Sequence, residues 1–152
     1  MLERIFPKCI DNRYRGHPVA LWLLYGLTFV NVAIALVAIL RKDGGAQSAD
    51  GIPLDTYGVA AAQAVIGVVA FLGLAKLSMG LLSVLALIRY RALVPLMYLV
   101  LVVDYLAHKG IGWMKPIVRD GTHVGGYVTL ILFGVSVVGL VLSVSGKRYE
   151  GG

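Results

Sequence analysis

Residues 72–108 read LGLAKLSMGLLSVLALIRYRALVPLMYLVLVVDYLAH, two apolar runs folded about Arg89-Tyr90-Arg91. Lys76 stands fourteen residues before Tyr90, and Asp104 stands fourteen after it. If both runs are membrane-crossing helices, advancing about 1.5 Å per residue, these equal offsets set two opposite charges at similar depth in an antiparallel hairpin. A charge near the middle of such a helix costs about 2.5–3.5 kcal/mol to insert, so it faces the bundle, pairs or snorkels. Lys76 is eleven residues from Leu87, roughly 16 Å of rise, too far for its stem to reach the headgroups. The hairpin therefore predicts Lys76 turned inward, toward Asp104 of the third span or Asn31 of the first.

The rest of the chain has the same character. Of its 152 residues, 59% are hydrophobic and only 14% charged, a composition that a soluble domain could not bury. Crossing a hydrocarbon core of about 30 Å takes about 20 apolar residues. Four stretches approach that length, at 18–40, 58–88, 93–108 and 124–145. The loops between them are too short for a second domain, so residues 1–152 are read as one transmembrane domain: an all-α integral membrane four-helix bundle.

The formal net charge of +6 does not indicate nucleic acid as a partner, because the basic residues are dispersed at helix ends with no aromatic-interleaved patch. Topology accounts for them better. Arg4, Lys8, Arg13, Arg15, Arg89, Arg91, Lys147 and Arg148 collect eight basic residues on one side, against Arg41, Lys42, Lys109, Lys115 and Arg119, five, on the other. The positive-inside rule then places both termini in the cytoplasm of a bacterium, with the chain in the inner membrane. The long first apolar run and the Arg41-Lys42 pair after it predict a retained span and not a cleaved leader. Cys9 is the one cysteine, which leaves no thiol pair for a disulfide or a dithiol redox centre within one chain.

Taken in order, residues 1–17 mix apolar and basic side chains and read as a positively charged surface anchor ending at Pro18, which suits the first turn of a helix. Thr28 and Asn31 share a face midway along the first span, where polar groups seek partners on neighbouring helices. Residues 41–57 are rich in turn-formers and predict an exposed connection, with Asp55 or Thr56 capping the next helix. Asp43, Asp50 and Asp55 lack the alternating oxygen ligands and closing glutamate of a calcium loop, and no metal is predicted. Ala60, Ala64 and Gly67 form a small-residue face on the second span, as Gly139 and Ser143 do on the fourth, and such faces let helices approach closely in lipid. Arg89, Tyr90 and Arg91 at the turn, and Trp113 in an interfacial connection over 109–123, read as membrane anchors.

Few residues suggest chemistry. Asp104 and His108 are i, i+4 neighbours on one face, the spacing of a proton-handling or ligand-binding pair and equally of an interfacial cluster. His108 and His123 flank the outer loop and would ligate a haem if brought to one level, but both are predicted at helix ends, where a haem is poorly held. Asn31, Lys76 and Asp104 fall at comparable depth and would make a polar layer for a small-solute carrier built as an oligomer. No phosphate loop, zinc pattern or serine nucleophile motif is present, and no catalytic residue is assigned.

The stretches Ser48-Ala49-Asp50-Gly51-Ile52-Pro53-Leu54-Asp55-Thr56-Tyr57 and Arg89-Tyr90-Arg91-Ala92-Leu93-Val94-Pro95-Leu96-Met97-Tyr98 resemble a group of small, uncharacterised bacterial four-span proteins. In architecture alone the chain is also similar to DoxX-like membrane proteins, which implies a four-helix bundle and a link to quinone or thiol redox systems. The expectation drawn from packing faces without a catalytic constellation is a non-catalytic accessory or assembly subunit. Its partners would be the lipid bilayer and other membrane proteins or further copies of itself. The alternative is a DoxX-like quinone- or proton-linked redox protein using Lys76, Asp104 and His108. No cofactor is predicted; a quinone for that redox alternative, or a haem between His108 and His123, is what the sequence leaves open.

Overall fold

The computed structural model describes residues 5–7, 11–120 and 124–145. Cys9 and His123 lie outside them, as do Arg4, Lys8, Lys147 and Arg148. Four α-helices carry the fold: α1 Pro18–Leu40, α2 Val59–Ile88, α3 Val94–Met114 and α4 Val124–Val144. Each is long and apolar enough to cross a membrane, the build of a multi-pass membrane protein, and no strand occurs among the described residues.

Local chemistry sets where the helices begin and end. Pro18 occupies the first turn of α1, and the Val19 N–H, which has no partner within the helix, donates to Nδ1 of His17 at 3.3 Å. A single 3₁₀ turn, Arg91–Leu93, separates α2 from α3. Pro95 is tolerated in the first turn of α3 because its missing N–H would have had no partner there.

Consecutive helices run antiparallel, but the four do not close evenly. α1 packs most extensively on α2, then on α4, and α4 packs on α3, whereas α2 and α3 touch little beyond the turn that joins them. The order around the bundle is therefore α2, α1, α4, α3, with one open flank. Close approach between α1 and α2 is made by Gly73 and Gly80, two turns apart. A Cβ at Gly73 would lie 2.8 Å from the Ala38 methyl, and one at Gly80 would lie 2.6 Å from a Val32 methyl. Between α3 and α4, Gly139 lies against the ring of Tyr98, whose hydroxyl crosses the core to donate to the Ala20 carbonyl at 2.6 Å. The buried core comprises Ala20, Leu24 and Leu27 of α1, Ala86 and Leu87 of α2, Val94, Met97, Tyr98, Leu101 and Tyr105 of α3, and Leu132 of α4.

Both ends of the bundle are tied. At one end the His17 N–H donates to the Leu142 carbonyl at 3.1 Å, and the Ala92 N–H donates to the Asp11 carbonyl at 3.2 Å. The segment before α1, the 89–93 turn and the last turn of α4 thus share a side. At the other end the Asp120 N–H reaches the Gly51 carbonyl at 2.8 Å, and Gly125 N–H reaches that of Ala49 at 3.1 Å.

Three expectations are corrected. The 41–57 connection is not simply exposed: Ala46, Ile52 and Leu54 are buried in a second apolar cluster against Val65, Ile66 and Val69. Gly44, Gly45 and Gly51 take positive φ there, which folds the segment back over the end of α2. Asp55 and Thr56 do not cap α2. They form a 3₁₀ turn in which Asp55 accepts from the Gln47 amide and Thr56 donates to the Pro53 carbonyl, and Gly58 occupies the cap position. The third helix also runs six residues beyond the expected end at 108, to Met114, so Lys109 to Trp113 are helical and not a connection. Gly110 and Gly112 lie within this last stretch, where an added Cβ would meet nothing within 4 Å.

Candidate functional site

The open flank between α2 and α3 leads to a cavity of about 210 Å³ whose floor is α1. Counting from the ends that share a side, Thr28 and Asn31 lie ten and thirteen residues into the membrane from Pro18, and Lys76 lies thirteen from Arg89. At helical rise these are depths of about 15–20 Å, near the middle of a hydrocarbon core.

Here α3 brings Asp104 within 3.9 Å of the Lys76 ammonium, Oδ2 to Nζ. Lys76 also stands over the ring of Tyr105, 5.4 Å from its centroid, so the cation faces a carboxylate on one side and a π-face on the other. The Tyr105 hydroxyl donates to Asn31 Oδ1 at 3.1 Å, and Asn31 Nδ2 donates back along its own helix to the Leu27 carbonyl at 2.9 Å. Asn31, Tyr105, Lys76 and Asp104 thus form one continuous polar chain from α1 across α3 to α2. Asn31 does not meet Lys76 directly; Tyr105 stands between them. That relay was not picked out in the sequence, although Tyr105 is adjacent to Asp104 and could have been found there as an aromatic with a polar tip.

The pair is only half-enclosed, with side-chain exposures of 34% for Lys76 and 55% for Asp104. Both face the opening. His108, one turn beyond Asp104, lines the same cavity. It lies fifteen residues inside α3 from Leu93, well within the helix and not at its end. His123 lies outside the described residues, so the haem pairing has no geometry to consider.

Thr28, like Asn31, is 6% exposed and belongs to the floor of the cavity; its hydroxyl oxygen is buried and has no hydrogen-bond partner.

The remaining candidate residues are placed as follows. Gly139 and Ser143 are buried in the α4 interface, with the Ser143 hydroxyl donating to the Leu140 carbonyl at 2.7 Å. Ala60 and Ala64 are exposed, and a Cβ at Gly67 would meet nothing within 4 Å, so this stripe is not used between helices of the chain; Gly73 and Gly80 have that role. Arg89 is exposed, Tyr90 is half-buried, and Arg91 Nε donates to the Leu87 carbonyl at 3.1 Å. Trp113 projects from the far end of α3, 90% exposed. Among the described residues no three His, Cys, Asp or Glu side chains gather to hold a metal ion.

Fold and site together define a multi-pass helical membrane protein with a polar cleft opening sideways at mid-depth. Compared with protein-family models, curated proteins and solved structures, the chain matches none.

Proposed function

We propose that this chain binds a small membrane-soluble molecule in the cleft between α2 and α3. One observation carries the reading: a cavity opening sideways between α2 and α3 is lined at mid-depth by a charge pair and an amide. Ionisable side chains inside a membrane are costly and mark ligand or ion pathways. The bundle's other helix contacts are apolar side chains, glycines, back-bonded serines and the neutral Tyr98–Ala20 hydrogen bond, so a charge pair exceeds what packing requires. The excess of basic residues on the side of the 89–91 turn, eight against five, supports a bacterial inner-membrane setting with both termini cytoplasmic. A proton- or quinone-linked redox role is one task such a site would serve, with Lys76, Asp104 and His108 around the ligand.

The test is extraction. Protein purified gently from native membranes is expected to carry one organic compound near equimolar amount, identified by mass spectrometry of the solvent extract. Ala75 lines the cavity mouth and is exposed, so Ala75→Phe should fill it and lose that compound while still folding. Wild-type protein carrying nothing beyond the bulk lipid found with Ala75→Phe would defeat the reading.

A second reading, an accessory or assembly subunit, is favoured by the uncovered stripe of Ala60, Ala64 and Gly67 on the half of α2 away from the turn. It predicts a membrane polypeptide, or a second copy, that co-purifies with wild type and is lost in Ala64→Leu. A preparation that is always monomeric and unaccompanied counts against it.

A further inference from the structure

The flank between α2 and α3 leaves a cation and a carboxylate uncovered at mid-depth, where uncompensated charge is costly. Their contact of 3.9 Å is an ion pair and not a hydrogen bond. The three donors of the Lys76 ammonium and the acceptor sites of the Asp104 carboxylate therefore stay open. Whatever covers the flank has to meet both signs at one level of the membrane.

That requirement narrows the occupant. Leu72, Ala75 and Met79 of α2 and Leu101 of α3 border the pair, so the surface is apolar around one cation and one neighbouring anion. A zwitterionic lipid carries both signs, but its headgroup lies at the membrane boundary, about 15 Å from mid-depth. A second copy of this chain carries both signs at the right level. Two copies inserted in the same sense are related by a two-fold axis along the membrane normal, and such an interface pairs one patch with itself at unchanged depth. With Lys76 on α2 and Asp104 beside it on α3, half a turn about that axis sets α2 of each copy against α3 of the other. Lys76 then meets Asp104 of the second copy and not its own kind. The 3.9 Å contact within the chain guarantees that the two charges are level to within that distance. One helical turn further out, Leu72 and His108, which both line the flank, come opposite each other in the same way.

We infer that the open flank is where two copies of this chain dock about a two-fold axis along the membrane normal, each Lys76 seated against Asp104 of the other copy. Two cations and two carboxylates then alternate in one cluster, and each covers the exposure that the other copy's pair retains alone. This goes beyond the small-molecule reading and does not require it: a compound in the cleft would be walled by both copies, and separated copies keep the lateral route. The surface also differs from the stripe of Ala60, Ala64 and Gly67, which lies nearer the start of α2.

Two measurements decide it. In native membranes, chains in which Leu72 is replaced by the photoreactive p-benzoylphenylalanine should give, on irradiation, a product of twice the chain's mass. A product with another polypeptide, or with lipid alone, would overturn the second copy as the occupant. In liposomes, energy transfer between donor- and acceptor-labelled Ser48→Cys chains, in a Cys9→Ser background, reads self-association as lipid is added. Asp104→Asn and Lys76→Gln should each weaken it about tenfold. Mixed one to one, these two variants should associate more tightly than either does alone, because neither chain holds an ion pair of its own and only a pair between copies remains. Ala64→Leu should leave the transfer unchanged. Wild type without transfer at any lipid ratio, or a mixture no tighter than its components, would overturn the inference, as would association that survives both charge variants and is lost in Ala64→Leu. None of these readouts depends on a bound compound, so failure of the extraction test and failure of this one are told apart.

Discussion

Lys76 and Asp104 test how a membrane interior treats charge that is paired but only half-covered. Their separation of 3.9 Å is at the long end of an ion pair, and the Tyr105 ring supplies a second attraction for the cation. Removing one partner leaves the other charge uncompensated, whereas replacing both with apolar groups is often nearly neutral. Lys76→Met alone should therefore lower the resistance of the bundle to sodium dodecyl sulfate more than Lys76→Met with Asp104→Leu. A coupling of about 0.5–3 kcal/mol is the range for contacting residues. Equal and additive effects in the double-mutant cycle would show that the two charges do not interact. The equal fourteen-residue offsets about Tyr90 made this juxtaposition legible in the sequence. The part played by Tyr105 was not, because a tyrosine in an apolar run reads first as a core or interfacial aromatic, and only the three-dimensional neighbourhood shows its hydroxyl spent on Asn31.

At the scale of elements, the helices were readable from hydropathy, but how they meet depended on shape. Gly139 is in an interface because the ring of Tyr98 lies against it where a side chain would not fit. Gly139→Ala would drive a methyl into that ring, and overpacking of this kind costs about 1–3 kcal/mol; the same detergent titration reads it against Gly134→Ala, which faces open space and carries the gain in helix propensity without the clash. Ala60 and Ala64 carry the same small-residue signature but remain uncovered, since spacing marks the capacity for close approach and not the neighbour that uses it. Turn-formers in the 41–57 segment likewise specified backbone conformation and were silent about burial, which Ala46, Ile52 and Leu54 supply. Within that segment Asp43 is the organising group. The Ser48 hydroxyl, then the backbone N–H groups of Ser48 and Gly45 and the Arg41 guanidinium, hold its carboxyl down to about 2 despite partial burial. A depressed carboxylate stabilises the fold at pH values above its ordinary value of 3.8 and loses that contribution as pH falls toward about 2. Thermal unfolding followed from pH 6 to pH 2.5 should show a decline below pH 4 that is shallower in Asp43→Ala. Parallel curves would mean the Asp43 contacts add nothing to stability.

For the whole molecule, the uneven closure of the bundle and the distribution of charge lead to one experiment on orientation. Hydrogen bonds join residues 11–17, the 89–93 turn and the end of α4 at one end, and join residues 49–51 to Asp120 and Gly125 at the other. Any orientation in the membrane must therefore carry Arg13, Arg15, Arg89 and Arg91 to one side together, and Arg41, Lys42 and Lys109 to the opposite side. A rigid arrangement of this kind turns the positive-inside bias into a single two-state choice, because no helix can invert without breaking both clasps. With Cys9→Ser as background, Arg89→Cys and Ser48→Cys report the two sides, both positions being exposed. A membrane-impermeant maleimide added to intact spheroplasts is expected to label Ser48→Cys at once and Arg89→Cys only after lysis. The reverse pattern would place the Arg89 end outside and remove the basis for cytoplasmic termini. It would leave the cleft unaffected, since a site at mid-depth that opens sideways into lipid is reached equally well from either orientation.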